Sequence, residues 1–145
     1  GKPTNVDKVR HTLEVNLIAP FALTEALVPL LARSADARVI NHSSMLGSMG
    51  TAESMWNQVG NFMAVGYSTS KAGLNMMTLI HAKTLANKGI LVAAAHPGWV
   101  KTDLGTQAAP MEVDEGASTV VDLATMAREK FPTGQLWHKG KRIAW

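Results

Sequence analysis

A chain of 145 residues, 46% apolar and 17% charged, can bury a core as one domain and is too apolar for wholesale disorder. Its net charge of +3 is spread along the sequence, with only Lys139, Lys141 and Arg142 close together, too thin a basic face for a nucleic-acid surface. No cysteine is present, which excludes disulfides and thiolate chemistry. No continuous apolar run reaches the ~18 residues of a membrane span, and Gly1-Lys2-Pro3-Thr4 is not a signal peptide. The expectation is a cytoplasmic protein with neither a membrane nor a nucleic-acid partner.

In chain order, Val6, Val9, Leu13, Leu17, Phe21, Leu27 and Leu31 recur at helical spacing. They predict a helix from Asn5 to about Ala32, capped by Thr4 or Asn5 and kinked or divided at Pro20. Ser34-Ala35-Asp36 reads as a turn. Arg38 to His42 reads as a short strand that ends in the polar, glycine-containing run Ser43-Ser44-Met45-Leu46-Gly47-Ser48. Residues 49–63 show no period and predict a loop carrying Trp56, Phe62 and three Met. A second helix is expected from about Val65 to Asn87, closed at Lys88-Gly89. Ile90 to Ala95 is continuously apolar, as a strand buried on both faces would be, and it stops at His96-Pro97-Gly98. A loop from Trp99 to about Met111 precedes a third helix over Glu112 to Lys130, with Val113, Ala117, Val120, Val121, Ala124 and Met126 on its apolar side. Gly134 to Trp137 and Arg142 to Trp145 are short strand candidates around a Lys139-Gly140 turn. Such alternation predicts an α/β fold over residues 1–145, a parallel sheet with crossover helices in one domain.

Four places in this order could carry chemistry. Tyr67 and Lys71 are four apart at the start of a helix and so share a face. A nearby ammonium favours the phenolate and lowers the tyrosine pKa, the way a tyrosine becomes a general acid/base; the bland alternative is a solvated helix face. Ser44 stands where a strand becomes a loop, the end at which open parallel sheets place ligands, although Ser-Ser in such a place is commonly only turn chemistry. Pro97-Gly98-Trp99-Val100 stands at the matching end of the next strand. There a turn without side-chain bulk lets backbone approach a flat ring, or simply ends the strand. Asn16 falls beside Leu13 and Leu17 on the buried side of the first helix, where an amide needs a partner, structural or functional.

Taken together the order is specific. Asn16, then Ser43-Ser44-Met45-Leu46-Gly47, then Tyr67-Ser68-Thr69-Ser70-Lys71, then Pro97-Gly98-Trp99-Val100-Lys101-Thr102 resembles the short-chain dehydrogenase/reductase family. Val39-Ile40-Asn41, Ala72-Gly73-Leu74-Asn75 and Leu104-Gly105 extend the likeness, which runs from about residue 6 to 145. The long interval from Ser44 to Tyr67 and the closing Trp145 are most similar to the C-factor and carbonyl-reductase branch. The resemblance implies the C-terminal, catalytic part of a Rossmann-like doubly wound sheet. It also implies an NAD or NADP cofactor, a carbonyl or alcohol as substrate, and a homo-oligomer paired through the helices at 5–32 and 65–87.

By the same resemblance Tyr67 would exchange a proton with the substrate oxygen, Ser44 would orient the carbonyl, and Asn16 would support a water linking Lys71 to solvent. Lys71 would hold the nicotinamide ribose and depress the Tyr67 pKa. Pro97, Gly98 and Val100 would lie along the nicotinamide, with Thr102 reaching its carboxamide or the phosphates. Trp56, Phe62, Trp99 and Met111 are candidates for the substrate pocket or for plain packing. The family's Gly-x-x-x-Gly-x-Gly turn, which with its helix N-terminus supplies the pyrophosphate site, is not among these residues; Gly47-Ser48-Met49-Gly50 is too short and follows the wrong strand. The chain is thus expected to be a piece of a longer oxidoreductase with weak cofactor binding of its own. The alternative is a truncated, non-catalytic assembly or binding module of the same ancestry.

Overall fold

The computed structural model describes residues 5–59 and 64–145, residues 56–59 by their backbone alone. The first helix is continuous but not uniform: α1 (Val6–Leu13) passes through a π-helical segment (Glu14–Ile18) into α2 (Ala19–Leu31). Asn5 is the cap, its Oδ1 accepting the amides of Asp7 at 2.8 Å and Lys8 at 3.3 Å. Pro20, the second residue of α2, has no N–H to give the carbonyl one turn earlier. The chain responds by widening that turn, with the Ala19 amide reaching back five residues to the Glu14 carbonyl. The expected division at Pro20 is therefore a bulge inside one long helix. As a whole Val6–Leu31 is long and apolar enough to cross a membrane by length and composition, contrary to the expectation of no such stretch. Polar residues such as Asn16 and Thr24 interrupt the run without lowering its average much.

After the turn come β1 (Arg38–His42), α3 (Met49–Val59), α4 (Val65–Thr84), β2 (Leu91–Ala95), α5 (Val113–Thr125), β3 (Leu136–His138) and β4 (Lys141–Ile143). The sheet order is β1-β2-β3-β4. β1 and β2 run parallel with Arg38 opposite Leu91 and His42 opposite Ala95, and β3 joins β2 in parallel through Ala94 and Leu136. β4 runs antiparallel to β3 about the expected Lys139-Gly140 turn, the one exception to the parallel pattern among the described residues. Only Lys139 and Gly140 separate them, both at positive φ (44° and 77°), and a two-residue turn of that kind can only reverse the chain into a hairpin.

The core is built around β2, whose Val92, Ala93, Ala94 and Ala95 are fully buried. Alternation along the strand sends Val92 to one side, against Ala82, Leu85 and Ile90, and Ala93 and Ala95 to the other, against Leu123 and Phe131. The sheet is thus sandwiched between α4 and α5. Arg38 closes the C-terminal end of α5 by donating to the carbonyls of Leu123 (2.8 Å) and Met126 (2.7 Å). Met126 turns extended there, so the helix expected to reach Lys130 stops at Thr125.

Residues 49–59 correct the sequence reading most clearly, forming α3 instead of a loop. The weak periodicity is offset by tertiary anchoring of the helix start. Ser48 Oγ accepts the Thr51 amide at 3.2 Å and donates to the Ala144 carbonyl at 2.7 Å, while the Gly50 amide donates to the Trp145 carbonyl at 2.5 Å. The C-terminus thereby nucleates a helix that local sequence does not announce.

Candidate active site

The ends of β1 and β2 place two turns side by side. The Ser43 amide extends the sheet by donating to the Ala95 carbonyl at 2.8 Å. Ser43 Oγ donates to Asn75 Oδ1 of α4 at 2.5 Å, locking the strand end to that helix. Ser44 follows in extended geometry, buried, its Oγ accepting the Leu46 amide at 3.1 Å and capping a 3-10 turn over Met45–Gly47. Gly47 fixes how closely this turn approaches α4. A Cβ there would lie 2.4 Å from the Lys71 carbonyl carbon and 2.5 Å from the Ala72 nitrogen. Only glycine permits that contact, and the contact brings Ser44 within reach of Tyr67.

Tyr67 and Lys71 do share a face of α4, with Lys71 Nζ 5.7 Å from the Tyr67 ring centroid. Lys71 is buried, and its ammonium donates to the His42 carbonyl at the end of β1, 2.7 Å away. Ser44 stands near enough to the Tyr67 phenol to lower its pKa. Because the Leu46 amide occupies a lone pair of the serine oxygen, its proton is free to point at the phenol. Burial pushes the Tyr67 pKa up and Ser44 draws it partly back. Burial likewise pushes the Lys71 ammonium down. The expected depression of Tyr67 by Lys71 is not the outcome here: burial raises the pKa of the half-buried phenol, and Ser44, not Lys71, is the group that lowers it.

Asn16 sits in the π-helical segment, half-buried, and its amide donates to Ser70 Oγ at 3.1 Å. Ser70 in turn donates to the Tyr67 carbonyl at 2.7 Å. The structure thus ties Asn16 to the Tyr67–Lys71 turn through Ser70. Leu17, next in the chain, lies on Gly73, where a Cβ would come within 2.7 Å of it, so the bulged helix and α4 meet closely at this level.

Pro97 and Gly98 form the second turn. Gly98 has φ 90°, and the Met111 sulfur and the His138 ring lie behind it, so that a Cβ would fall 2.4 Å from the sulfur. Val100 turns its side chain onto Gly116 of α5 and bridges Met111. Thr102 Oγ1 accepts the Gly105 amide at 3.0 Å and is exposed. Among the residues expected to line a substrate pocket, Met111 is buried beneath Gly98, and Trp99 donates from Nε1 to the Gly105 carbonyl at 2.6 Å. Phe62 and the Trp56 side chain lie outside the described residues. A groove of about 860 Å³ opens nearby between Leu46, Met49, Ala52, Val65, Ser68 and Ala72. Ser44, Tyr67 and Lys71 are not among the residues that line it.

Four contributors escaped the sequence reading. The His42 carbonyl and the Ser43–Asn75 bond involve main chain or ordinary polar pairs with no sequence signal. Gly47 was visible in the Ser-Ser-Met-Leu-Gly run, but its close approach to Lys71 is a tertiary fact. His96, just before Pro97, is the fourth, buried beside His138.

The chain is similar in sequence and in fold to known proteins. The chain is 31% identical over 134 residues to the short-chain dehydrogenase anuI of Penicillium roqueforti, covering 90% of this chain and 53% of that protein. It is 35% identical over 95 residues to the C-signal protein of Myxococcus xanthus, 66% of this chain and 53% of that one. The NADPH-bound carbonyl reductase from chicken fatty liver superposes with a TM-score of 0.85 at 31% identity, over 98% of this chain and 59% of its own. The chain spans about half the length of the curated relatives it matches. Residues 2–113 match the sequence family described as short chain dehydrogenase, and the chain belongs to that family.

Proposed function

We propose that this chain forms the catalytic part of an NAD(P)-dependent oxidoreductase that interconverts a carbonyl and an alcohol, with Tyr67 as the general acid/base. The observation that carries the reading is the convergence of Ser44, Tyr67 and Lys71 where β1 and β2 end, with the bare Pro97–Gly98 turn alongside. A nicotinamide, when bound, supplies or takes the hydride. The residues present fit such a group: Gly98 offers backbone without side-chain bulk at the strand end, and the Lys71 ammonium, with one proton given to His42, retains two to donate to a ribose. Pro97 and Gly98 would lie along the ring. Val100, its side chain committed to Gly116, would do so through its backbone, and Thr102 would reach the carboxamide or the phosphates.

Ser44 holds the substrate oxygen beside Tyr67. The raised Tyr67 pKa keeps the phenol protonated at neutral pH, the form needed to donate to a carbonyl oxygen during reduction. In the reverse direction the same oxygen takes the alcohol proton. Asn16, through Ser70, holds the turn that carries Tyr67 and would support a water linking Lys71 to solvent.

In the active protein that carries this chain, Tyr67→Phe should cut turnover by about 100-fold or more, the usual worth of a positioned acid, and leave stability almost unchanged. A phenylalanine variant retaining most of its NAD(P)H-dependent carbonyl reduction would remove Tyr67 from the mechanism.

Association with a second copy belongs to the same proposal. Val15, Ile18, Phe21, Leu23, Leu27 and Leu30 on the first helix and Met76 and Ile80 on α4 are exposed. Covering ~400 Å² of such surface is worth of order 10 kcal/mol at ~25 cal/mol/Å², as much as a whole domain's stability. The setting proposed is the cytoplasm, with a small carbonyl or alcohol as substrate.

A further inference from the structure

His96 lies between the two turns of the site and touches both. Its ring is buried, only 7% exposed, and its Nδ1 accepts the amide of Met45, the residue after Ser44, at 3.4 Å. Its own main chain runs directly into Pro97–Gly98. On the far side the His138 ring leans on it, centroids 4.9 Å apart and tilted by 45°, and His138 Nδ1 bonds to the His96 carbonyl at 2.8 Å. We infer that His96 is a positioning residue, whose neutral imidazole holds the Ser44 turn in register with the Pro97–Gly98 turn. This rests on the proposed roles of Ser44 and Tyr67 and adds what sets their relative position.

The hydrogen bonds dictate the tautomers. Accepting an N–H at Nδ1 requires the His96 proton on Nε2, and donating to a carbonyl requires His138 to carry its proton on Nδ1. A protonated His96 could not accept from Met45 and would be repelled by the same neighbours. Those facing it are His138 from β3 and His42 from the end of β1, with Lys71 of α4 bonded to the His42 carbonyl. Burial first, then His138 and His42, bring the His96 pKa down to about 4, so the acceptor persists through the physiological range.

The chain contains a single tyrosine, and Ser44 draws its pKa down. Tyrosinate absorbance against pH therefore reports on Ser44 without any turnover. In His96→Leu, which keeps bulk but removes the acceptor, the Ser44 turn loosens and the Tyr67 ionisation midpoint shifts upward. His96→Asn, whose Oδ1 can replace Nδ1 as acceptor, returns the midpoint toward that of the parent chain. An unchanged midpoint in folded His96→Leu overturns the inference, as does an asparagine variant that behaves like the leucine one. Should His96→Leu not fold, imidazole 15N shifts of the unaltered chain decide. Neutral His96 with its proton on Nε2 at pH 6 supports the role, and a proton on Nδ1, or a charged ring there, overturns it. Neither measurement depends on catalysis, so its failure would leave the oxidoreductase proposal standing, and an inactive parent protein would leave this one standing.

Discussion

Two long helices of this chain have opposite fates. Along α4, nine of twenty residues are buried, among them Ser70, Lys71, Leu74, Asn75 and Thr78. Across α1, the π-helical segment and α2, only Thr24 is. Yet the second region is by composition the more apolar, apolar enough to pass for a membrane span. Apolar content alone therefore does not locate the core. What distinguishes α4 is small and polar residues at contact positions: Gly73 admits Leu17, Asn75 bonds Ser43, and Thr78 Oγ1 accepts from Asn41 Nδ2 at 2.8 Å. The candidate site rests on the buried region, and the outer helix presents exposed apolar side chains.

The contrast can be broken by mutation at each end. Leu123→Ala, which empties a fully buried position against Ala93, Ala95 and Phe131, should cost about 2–5 kcal/mol of stability in denaturant unfolding. A loss below 1 kcal/mol would mean that this face of β2 is not the tight core described. The second expectation concerns ligand reach. If, as proposed, only the nicotinamide side is represented, this chain alone should bind NADPH with a Kd of about 1 mM or weaker, near −4 kcal/mol. Micromolar affinity by calorimetry would reveal a pyrophosphate site elsewhere among these residues.

Acid should attack the packed region first. A histidine whose folded pKa lies near 4, below the ordinary 6.5, makes the unfolded state the stronger proton binder between those values. Stability is then complete above pH 6.5 and falls as the pH drops toward 4, by of order 3 kcal/mol from His96. His42, also pushed down by burial and Lys71, acts in the same sense. Unfolding free energies that stay flat from pH 7 to 4 would contradict the burial of His96. The smallest effect on folding belongs to the outer helix. Leu23→Ala and Leu30→Ala, at positions 62% and 63% exposed, should each change monomer stability by no more than about 0.5 kcal/mol. Together they should shift light scattering toward monomer, and a parent chain already monomeric at micromolar concentration would end the association proposal.

Much of this molecule was legible in its residues because the signals are local. Helical spacing marked the first helix and α4, the unbroken apolar run marked β2, and the Ser-Ser, Tyr-x-x-x-Lys and Pro-Gly elements marked the site in order. What stayed hidden depends on distant partners. α3 is a helix because Ala144 and Trp145 hold its start. The Tyr67 pKa moves opposite to the local expectation because burial, which four-residue spacing does not reveal, is its largest cause.

The sequence by itself determined the family, the α/β alternation and the identity of the residues that meet at the strand ends, since chain order and residue type carry all three. Tertiary structure alone decided how closely they meet. Gly47 against the Lys71 backbone, Lys71 bonded to the His42 carbonyl, Asn16 joined to Tyr67 through Ser70, and His96 between the two turns are contacts across 24 to 54 residues of chain. They form only when α4 packs on the sheet, because each consists of a short-range interaction that vanishes beyond hydrogen-bond or van der Waals distance.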